Sequence, residues 1–368
     1  MKRLGCTIPP HNAYLDTAQV SGLVQHAEAL GYDAAFLPEA WSYDTTCMLT
    51  RIALETSRIQ IGAAILPIEV RTPAQTAMAA VTIDDVSGGR HIVGLGAGHR
   101  HKEEHWHGLD YRPRVARFKE YVEIVREVIS GREMDYRGKH LSCTGYELGI
   151  APVRRRQPIY LAALGLKTHR MVGQVGDGVL AYYAPPGFIA SIVDAIHDGA
   201  RSAGRSPDEI EICLMIPTRV TDEPDAALEL GRKQIAWYNN FENYNGMFRV
   251  SGFADEADAL KAAWAKVRER DPDMLEWQAA QGNDCGTAEL VPDEMVRSIF
   301  VFGSAEECHE QIERYRHVGV DMPIVFPQGT FEDAETSLAD YERTLAGARG
   351  GALIGKRIRA EGARGGDG

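Results

Sequence analysis

The chain has 368 residues, 44% of them hydrophobic, and a formal net charge of −12. An acidic balance of that size excludes a surface built to neutralise nucleic-acid phosphates, and no stretch approaches the roughly 20 apolar residues that span a bilayer. Met1 to Pro10 lacks the charged start and apolar run of a secretory leader, so the chain is expected in the cytoplasm, without a nucleic-acid or membrane partner. Six cysteines, Cys6, Cys47, Cys143, Cys213, Cys285 and Cys308, are widely spaced without a Cys-x-x-Cys pair and read as reduced, mostly buried thiols.

Short apolar runs alternate with amphipathic stretches along the chain, the pattern of βα units around a parallel sheet. Leu4 to Pro9 reads as the first strand; Asp16 to Leu30 reads as a helix with Val20, Leu23, Val24, Ala27 and Leu30 on one face, stopped by Gly31. Next come Asp33 to Glu39 with helix Thr45 to Thr56, Ile59 to Pro67 with helix Pro73 to Ser87, and His91 to Gly98, the helices started by Asp44 and by Thr72-Pro73. Arg114 to Ser130 is a strongly amphipathic helix, and Met134 to Gly149 a small hairpin around Gly138 that leaves the repeat. Pro158 to Leu164, Gly178 to Tyr183, Ile210 to Val220 and Met322 to Pro327 supply strands five to eight, with helices near 167–175, 187–203, 224–240, 304–318 and 331–346.

The expected fold is therefore α/β, a (β/α)8 TIM barrel forming one domain over residues 1–346, with its largest insertion, 239–302, between strands seven and eight. The segment 347–368, rich in Gly, Ala and Arg, is expected to be a disordered tail.

Such a barrel places its ligand at the carboxyl ends of the strands. Those ends are Pro9 to Asn12, Glu39 to Trp41, Ala64 to Pro67, Gly96 to His101, Ala163 to Leu166, Tyr182 to Pro186, Pro217 to Arg219 and Pro327 to Gly329. Gly94-Leu95-Gly96-Ala97-Gly98 is no Rossmann fingerprint, because its third glycine falls one residue early and no small-residue helix follows. It reads either as a tight turn or as backbone that a planar ring can approach. His99, His101, His105 and His107 with Glu103 and Glu104 read as a solvated loop, as acid–base or substrate contacts through His99, or as a metal cluster with His101 and His105 at i, i+4. No other strand end supplies a matching ligand group, and no metal is expected.

Glu39, ending an apolar strand, is a catalytic or cofactor-orienting candidate, or else the ion-pair partner of a loop arginine such as Arg71. Ala163-Leu164-Gly165 precedes a helix start near Lys167 and Thr168, whose free amides suit a cofactor phosphate. Asp177-Gly178 opens the sixth strand on the opposite face and reads as a structural turn. Tyr238, Phe241, Tyr244, Phe248 and Phe253 in the insertion make an aromatic lid candidate, or ordinary packing or a dimer contact.

Several of these pieces occur together in a known order: Gly31-Tyr32-Asp33 before Phe36-Leu37-Pro38-Glu39-Ala40, Ile61 to Ile65 before Arg71-Thr72-Pro73, Ser87-Gly88-Gly89-Arg90 before Val93-Gly94-Leu95-Gly96, then Pro158 to Gly165 and Gly176-Asp177-Gly178. Over roughly residues 3 to 346 the chain resembles the luciferase-like monooxygenase superfamily, especially its F420-dependent branch. That branch is related to methylenetetrahydromethanopterin reductase and F420-dependent glucose-6-phosphate dehydrogenase.

The resemblance implies a flavin-type ring in the barrel mouth, coenzyme F420 rather than FMN, set against a bulge at a non-proline cis peptide, here Ala64-Ile65. It implies Glu39 beside the ring, Gly96, Ala97, Gly98 and His99 along the polar edge, and Ala163, Leu164 and Gly165 near the phosphate. Glu39 or His99 would handle the proton. Ala40 and His99 stand where the sugar-phosphate dehydrogenases carry a histidine and a glutamate, so that acid–base pair is not reproduced and that substrate is not expected. The expected activity is hydride transfer between the deazaflavin and a small organic substrate, in a homodimer. The alternatives are an FMN-dependent monooxygenase and a non-catalytic flavin-binding barrel; no nucleophile with its base and no carboxylate pair supports a hydrolase.

Overall fold

Side-chain caps start the first helices where the sequence marks them. Asp16 accepts from the Ala18 and Gln19 amides and Gln19 reaches back, closing a capping box; Thr72 and Gln75 repeat the arrangement, and Asp44 accepts from Cys47 N. Gly31 leaves the first helix at φ +84°, a conformation that costs a glycine little.

The computed structural model describes residues 2–8, 15–40, 42–100, 102–111, 115–270, 286–329 and 333–350. The strand end Pro9 to Asn12, Trp41, His101, Cys285 and the segment 351–368 lie outside the described residues. In chain order the elements are β1 (Gly5–Thr7), α1 (Thr17–Ala29), β2 (Ala34–Leu37), α2 (Thr45–Glu55), β3 (Gln60–Ala63), β4 (Leu66–Pro67), α3 (Pro73–Val86), β5 (His91–Gly96), α4 (Val115–Ile129), β6 (Met134–Arg137), β7 (Ser142–Tyr146), β8 (Ile159–Ala162), α5 (Leu166–Val175) and β9 (Gly178–Tyr182). They continue with α6 (Pro186–Ser202), β10 (Glu211–Val220), α7 (Pro224–Tyr238), α8 (Glu242–Val250), α9 (Ala254–Arg270), α10 (Asp293–Ile299), β11 (Val301–Gly303), α11 (Ala305–His317), β12 (Met322–Pro327) and α12 (Ala334–Ala348).

Parallel pairing runs β1-β2-β3-β5-β8-β9-β10-β12 and returns to β1, an eight-stranded closed barrel ringed by helices. The hairpin β6–β7 stands outside it. Alternate strand residues divide two cores. Ala34, Phe36, Ile92, Leu180, Cys213, Met322 and Ile324 fill the barrel, while residues such as Val93, Leu161, Val179 and Val325 pack outward on the helices. At the amino ends of the strands Arg3 Nη1 donates to both oxygens of Glu211 at 2.5 and 2.6 Å, and Gln60 and Tyr160 bond to the same pair. No described helix is long and apolar enough to cross a membrane.

Three expectations need correction. The segment 239–302 contains a helix, α8, that its periodicity did not announce, and ends in β11, which pairs in parallel with the far end of β10 (Thr218↔Val301 to Val220↔Gly303). α12 runs on to Ala348, into the expected tail. Gly347 is buried because a Cβ there would stand 2.8 Å from Val220 and 3.1 Å from Ala305, so small residues that looked too weakly apolar to pack are the ones that fit. Finally, Lys102–Trp106 forms a π-helical turn instead of a loop.

Two glycines set the spacing of α5 and α6. A Cβ at Gly173 would overlap the Ile196 carbonyl, and one at Gly199 would overlap the Arg170 carbonyl. Backbone cannot yield as a side chain can, so Gly199→Ala should lower stability by about 1–3 kcal/mol, read as a lower urea midpoint.

Candidate active site in the barrel mouth

The third barrel strand is broken in a way that shapes the mouth. Ile61 and Gly62 pair with His91 and Ile92, and Leu66 and Pro67 pair with Leu95 and Gly96, so Ala63, Ala64 and Ile65 face only Val93 and Gly94: a one-residue bulge. The Ala64–Ile65 peptide within it is cis. The bulge drives the Ala63 carbonyl onto the bare Cα of Gly94. It also lays the Ile65 side chain over Gly96, where a Cβ would stand 2.6 Å from Ile65 Cγ1. Partly buried Ala64, Ile65, Ala162 and Met215 cap the barrel interior and form the floor of the mouth.

The three alternating glycines are thus explained chiefly by the protein itself. Gly94 admits a carbonyl, Gly96 admits Ile65, and Gly98, at φ +71°, admits the Glu103 carboxyl. The tight-turn reading of the run is thereby given its physical cause.

One half of the mouth rim is charged. Arg71 donates to both oxygens of Glu39 at 3.2 and 3.3 Å and to Asp44 at 3.1 Å, and its carbonyl accepts from Tyr121. Glu39 therefore takes the ion-pair arrangement foreseen as its alternative. Beside it Arg117 of α4 donates to Glu69 at 2.5 Å, and burial raises the Glu69 carboxyl above its usual range against the pull of Arg117.

The π turn carries Glu103 beneath Gly98. It is 1% exposed, and its Oε2 has no hydrogen-bond partner among the described residues. Burial, with Glu69 and Glu39 adding like charge, raises it to about 7 against the opposing His99 amide and Lys102. His99 lies partly buried, its ring 5.2 Å from that of Phe241; burial, then Lys102, lowers it to about 3, so its imidazole is neutral at pH 7. His105 and His107 are exposed, and no group of three or more His, Cys, Asp or Glu side chains among the described residues is placed to hold a metal.

The other half is aromatic. Gly178, Leu180 and Tyr182 share the inward face of β9, which puts the Tyr182 ring at the mouth, 5.8 Å from Phe326 and 5.5 Å from Tyr238. Tyr238, Phe241 and Tyr244 of the insertion gather there, whereas Phe248 is fully buried and Phe253 packs against the core. Tyr183 adopts φ +56°, held by its hydroxyl donating to Gln234 at 2.6 Å, with Gln234 donating in turn to Gln328.

Across the mouth floor, Ala163 is buried, Leu164 partly buried and Gly165 exposed. Gly165 is the N-cap of α5 with no side-chain cap, and nothing lies within 4 Å of the place a Cβ would occupy. The Thr168 amide donates to the Gly165 carbonyl at 2.9 Å, and the Leu166 and Lys167 amides before it open the helix without an intrahelical acceptor. On the far face Asp177 accepts from Arg126, Arg156 and Ile159 N, the structural role its turn suggested.

Sequence reasoning missed Glu69 and the special setting of Glu103. Glu69 lies two residues past a strand end and gave no signal; Glu103 was visible only as part of a histidine-rich run. Tyr182 stood in the sequence only as the first residue of the sixth strand end, Tyr182 to Pro186.

The mouth thus joins a bulged third strand, an apolar floor and, across from it, a helix start with no side-chain cap. The signature of the luciferase-like monooxygenase family matches residues 3–322, and the chain belongs to that family. It is 29% identical over 325 residues to a coenzyme F420-dependent oxidoreductase of Mycobacterium tuberculosis, covering 82% of this chain and 89% of that one. It is 28% identical over 302 residues to a 5,10-methylenetetrahydromethanopterin reductase of Archaeoglobus fulgidus, covering 82% and 87%. Its fold matches the coenzyme F420-dependent tetrahydromethanopterin reductase of Methanopyrus kandleri with a TM-score of 0.72 at 22% identity, covering 95% and 98% of the two chains.

The Glu103 assignment predicts a pH effect on stability. Between pH 4.5 and about 7 the unfolded chain has released a proton that the folded chain keeps on Glu103, so this residue makes stability fall as pH rises through that window. Glu103→Gln should remove that fall: its urea midpoint should exceed that of the parent at pH 8, and the difference should shrink towards pH 4.5.

Proposed function

We propose that the chain is an oxidoreductase that binds a deazaflavin of the coenzyme F420 type and transfers a hydride between it and a small organic substrate. The observation that carries this reading is the pairing, in one mouth, of the Ile65-over-Gly96 floor with the uncapped start of α5 at Gly165. A planar ring needs a flat apolar seat and its phosphate needs amide donors, and both lie free here. The names of the curated relatives support deazaflavin over FMN.

In this reading Ala64 and Ile65 support one face of the ring, and Gly96, Ala97, Gly98 and His99 line its polar edge. Ala163, Leu164 and Gly165 lead to the phosphate. The bound deazaflavin supplies the two-electron hydride chemistry. Glu39, fixed by Arg71, orients the polar edge, and neutral His99 donates or accepts a hydrogen bond there without carrying charge. Proton handling falls to this charged half of the rim.

Titration of the purified chain with coenzyme F420 and, separately, with FMN should perturb the visible band of the deazaflavin at lower concentration than that of the flavin. Tight FMN binding accompanied by oxygen consumption would make the chain a flavin monooxygenase instead. Gly165→Asp separates fold from site. Aspartate is a good N-cap with room for its Cβ, so the melting temperature should hold or rise, while its carboxylate occupies the anion site and weakens F420 binding by roughly tenfold or more.

A further inference from the structure

The aromatic half of the mouth carries an assignment of its own, resting on the reading above for its cofactor and extending it to the substrate. Tyr183 is the one non-glycine residue at positive φ among the described residues, and the Gln234–Gln328 chain holds it there. Non-glycine residues held in that region cluster at functional sites. The turn it makes sends Tyr183 back against the insertion and leaves Tyr182 facing the mouth.

Behind Tyr182, the Tyr238 hydroxyl donates to the Tyr182 hydroxyl at 3.3 Å. Tyr182 is only partly buried, and its O–H, whose other protein neighbour is the Tyr183 phenol that already donates to Gln234, is the donor left to meet a ligand. The surrounding surface is Phe326, Phe241, Tyr244 and Met215. Arg219, at the end of the seventh strand, is buried and paired with Asp340 of α12 at 3.5 Å. The fixed charges of Glu39, Arg71, Glu69 and Arg117 belong to the opposite half of the rim.

We infer that Tyr182, backed by Tyr238, is the substrate-recognition donor of this site, and that the substrate is an uncharged, planar, largely apolar molecule presenting one hydrogen-bond-accepting carbonyl oxygen or imine nitrogen. An aromatic wall disfavours a carboxylate or phosphate, whose desolvation no unpaired cation among the described residues of that wall repays. It accepts a planar apolar body by stacking and edge contacts. The single donor fixes which end of the substrate faces the phenol.

The test uses the full chain and three probes of one shape, acetophenone, ethylbenzene and benzoate, with binding measured by calorimetry with and without saturating coenzyme F420. Acetophenone should bind tightest and benzoate weakest. Tyr182→Phe should weaken acetophenone roughly tenfold, to the level of ethylbenzene, without changing ethylbenzene itself; Tyr238→Phe should weaken it roughly threefold. Ethylbenzene affinity reports whether each variant keeps the wall intact. If Tyr182→Phe loses that as well, Tyr238→Phe decides. Unchanged acetophenone affinity in the variants, or benzoate binding as well as acetophenone, overturns the assignment. Failure to bind F420 while acetophenone still depends on Tyr182 overturns the cofactor reading and leaves the recognition site standing.

Discussion

One carbonyl oxygen and one isoleucine side chain occupy the space that two absent Cβ atoms leave in the fourth barrel strand. The Ala63 carbonyl presses on Gly94 and Ile65 lies across Gly96, and neither could do so beside an alanine. Everything at the mouth is referenced to that contact. It sets the height of the floor, it lets the chain leave Pro67 towards Glu69 and Arg71, and it fixes where Gly98 meets Glu103.

From there the mouth divides by chemistry. Strands two and three end in carboxylates and a guanidinium that hold one another, and α4 supplies Arg117 to complete the set. Strands six and eight end in aromatic rings to which the insertion adds more. Between them the fifth strand leads to a bare helix start. Charge, apolar surface and free amides thus fall in separate sectors of one opening, which suits a ligand pair with a phosphate, a polar ring edge and an apolar partner.

Much of the architecture was legible in the sequence because each signal was local. Strand runs, caps at Asp16, Asp44 and Thr72, and the stop at Gly31 depend on a few neighbouring residues, and the structure uses them as read. What escaped was set by tertiary contact. The glycine run reads as a tight turn or as backbone open to a ring, and only the bulge opposite shows what packs against Gly94 and Gly96. α8 is short and built on poor helix formers such as Asn245 and Gly246, and a tertiary bond helps hold it: Asn245 donates to the Ala257 carbonyl, which also accepts from Asn239. Arg71 was named as a partner for Glu39 from the sequence, and the structure makes that pair across 32 positions; what spacing did not show is that Arg71 also holds Asp44.

β10 is the longest strand of the barrel at ten residues, and it serves two structures at once. Its first part closes the ring with β9 and β12, and its last three residues pair with β11 as the insertion returns. The insertion thus leaves the barrel through α7 and comes back onto the same strand, like a cassette clipped at both ends to one rail. Sequence drift between the clips can remodel the wall that faces a substrate while the rail keeps it in register with the floor. Such a layout lets the rim of one barrel change without rebuilding its floor.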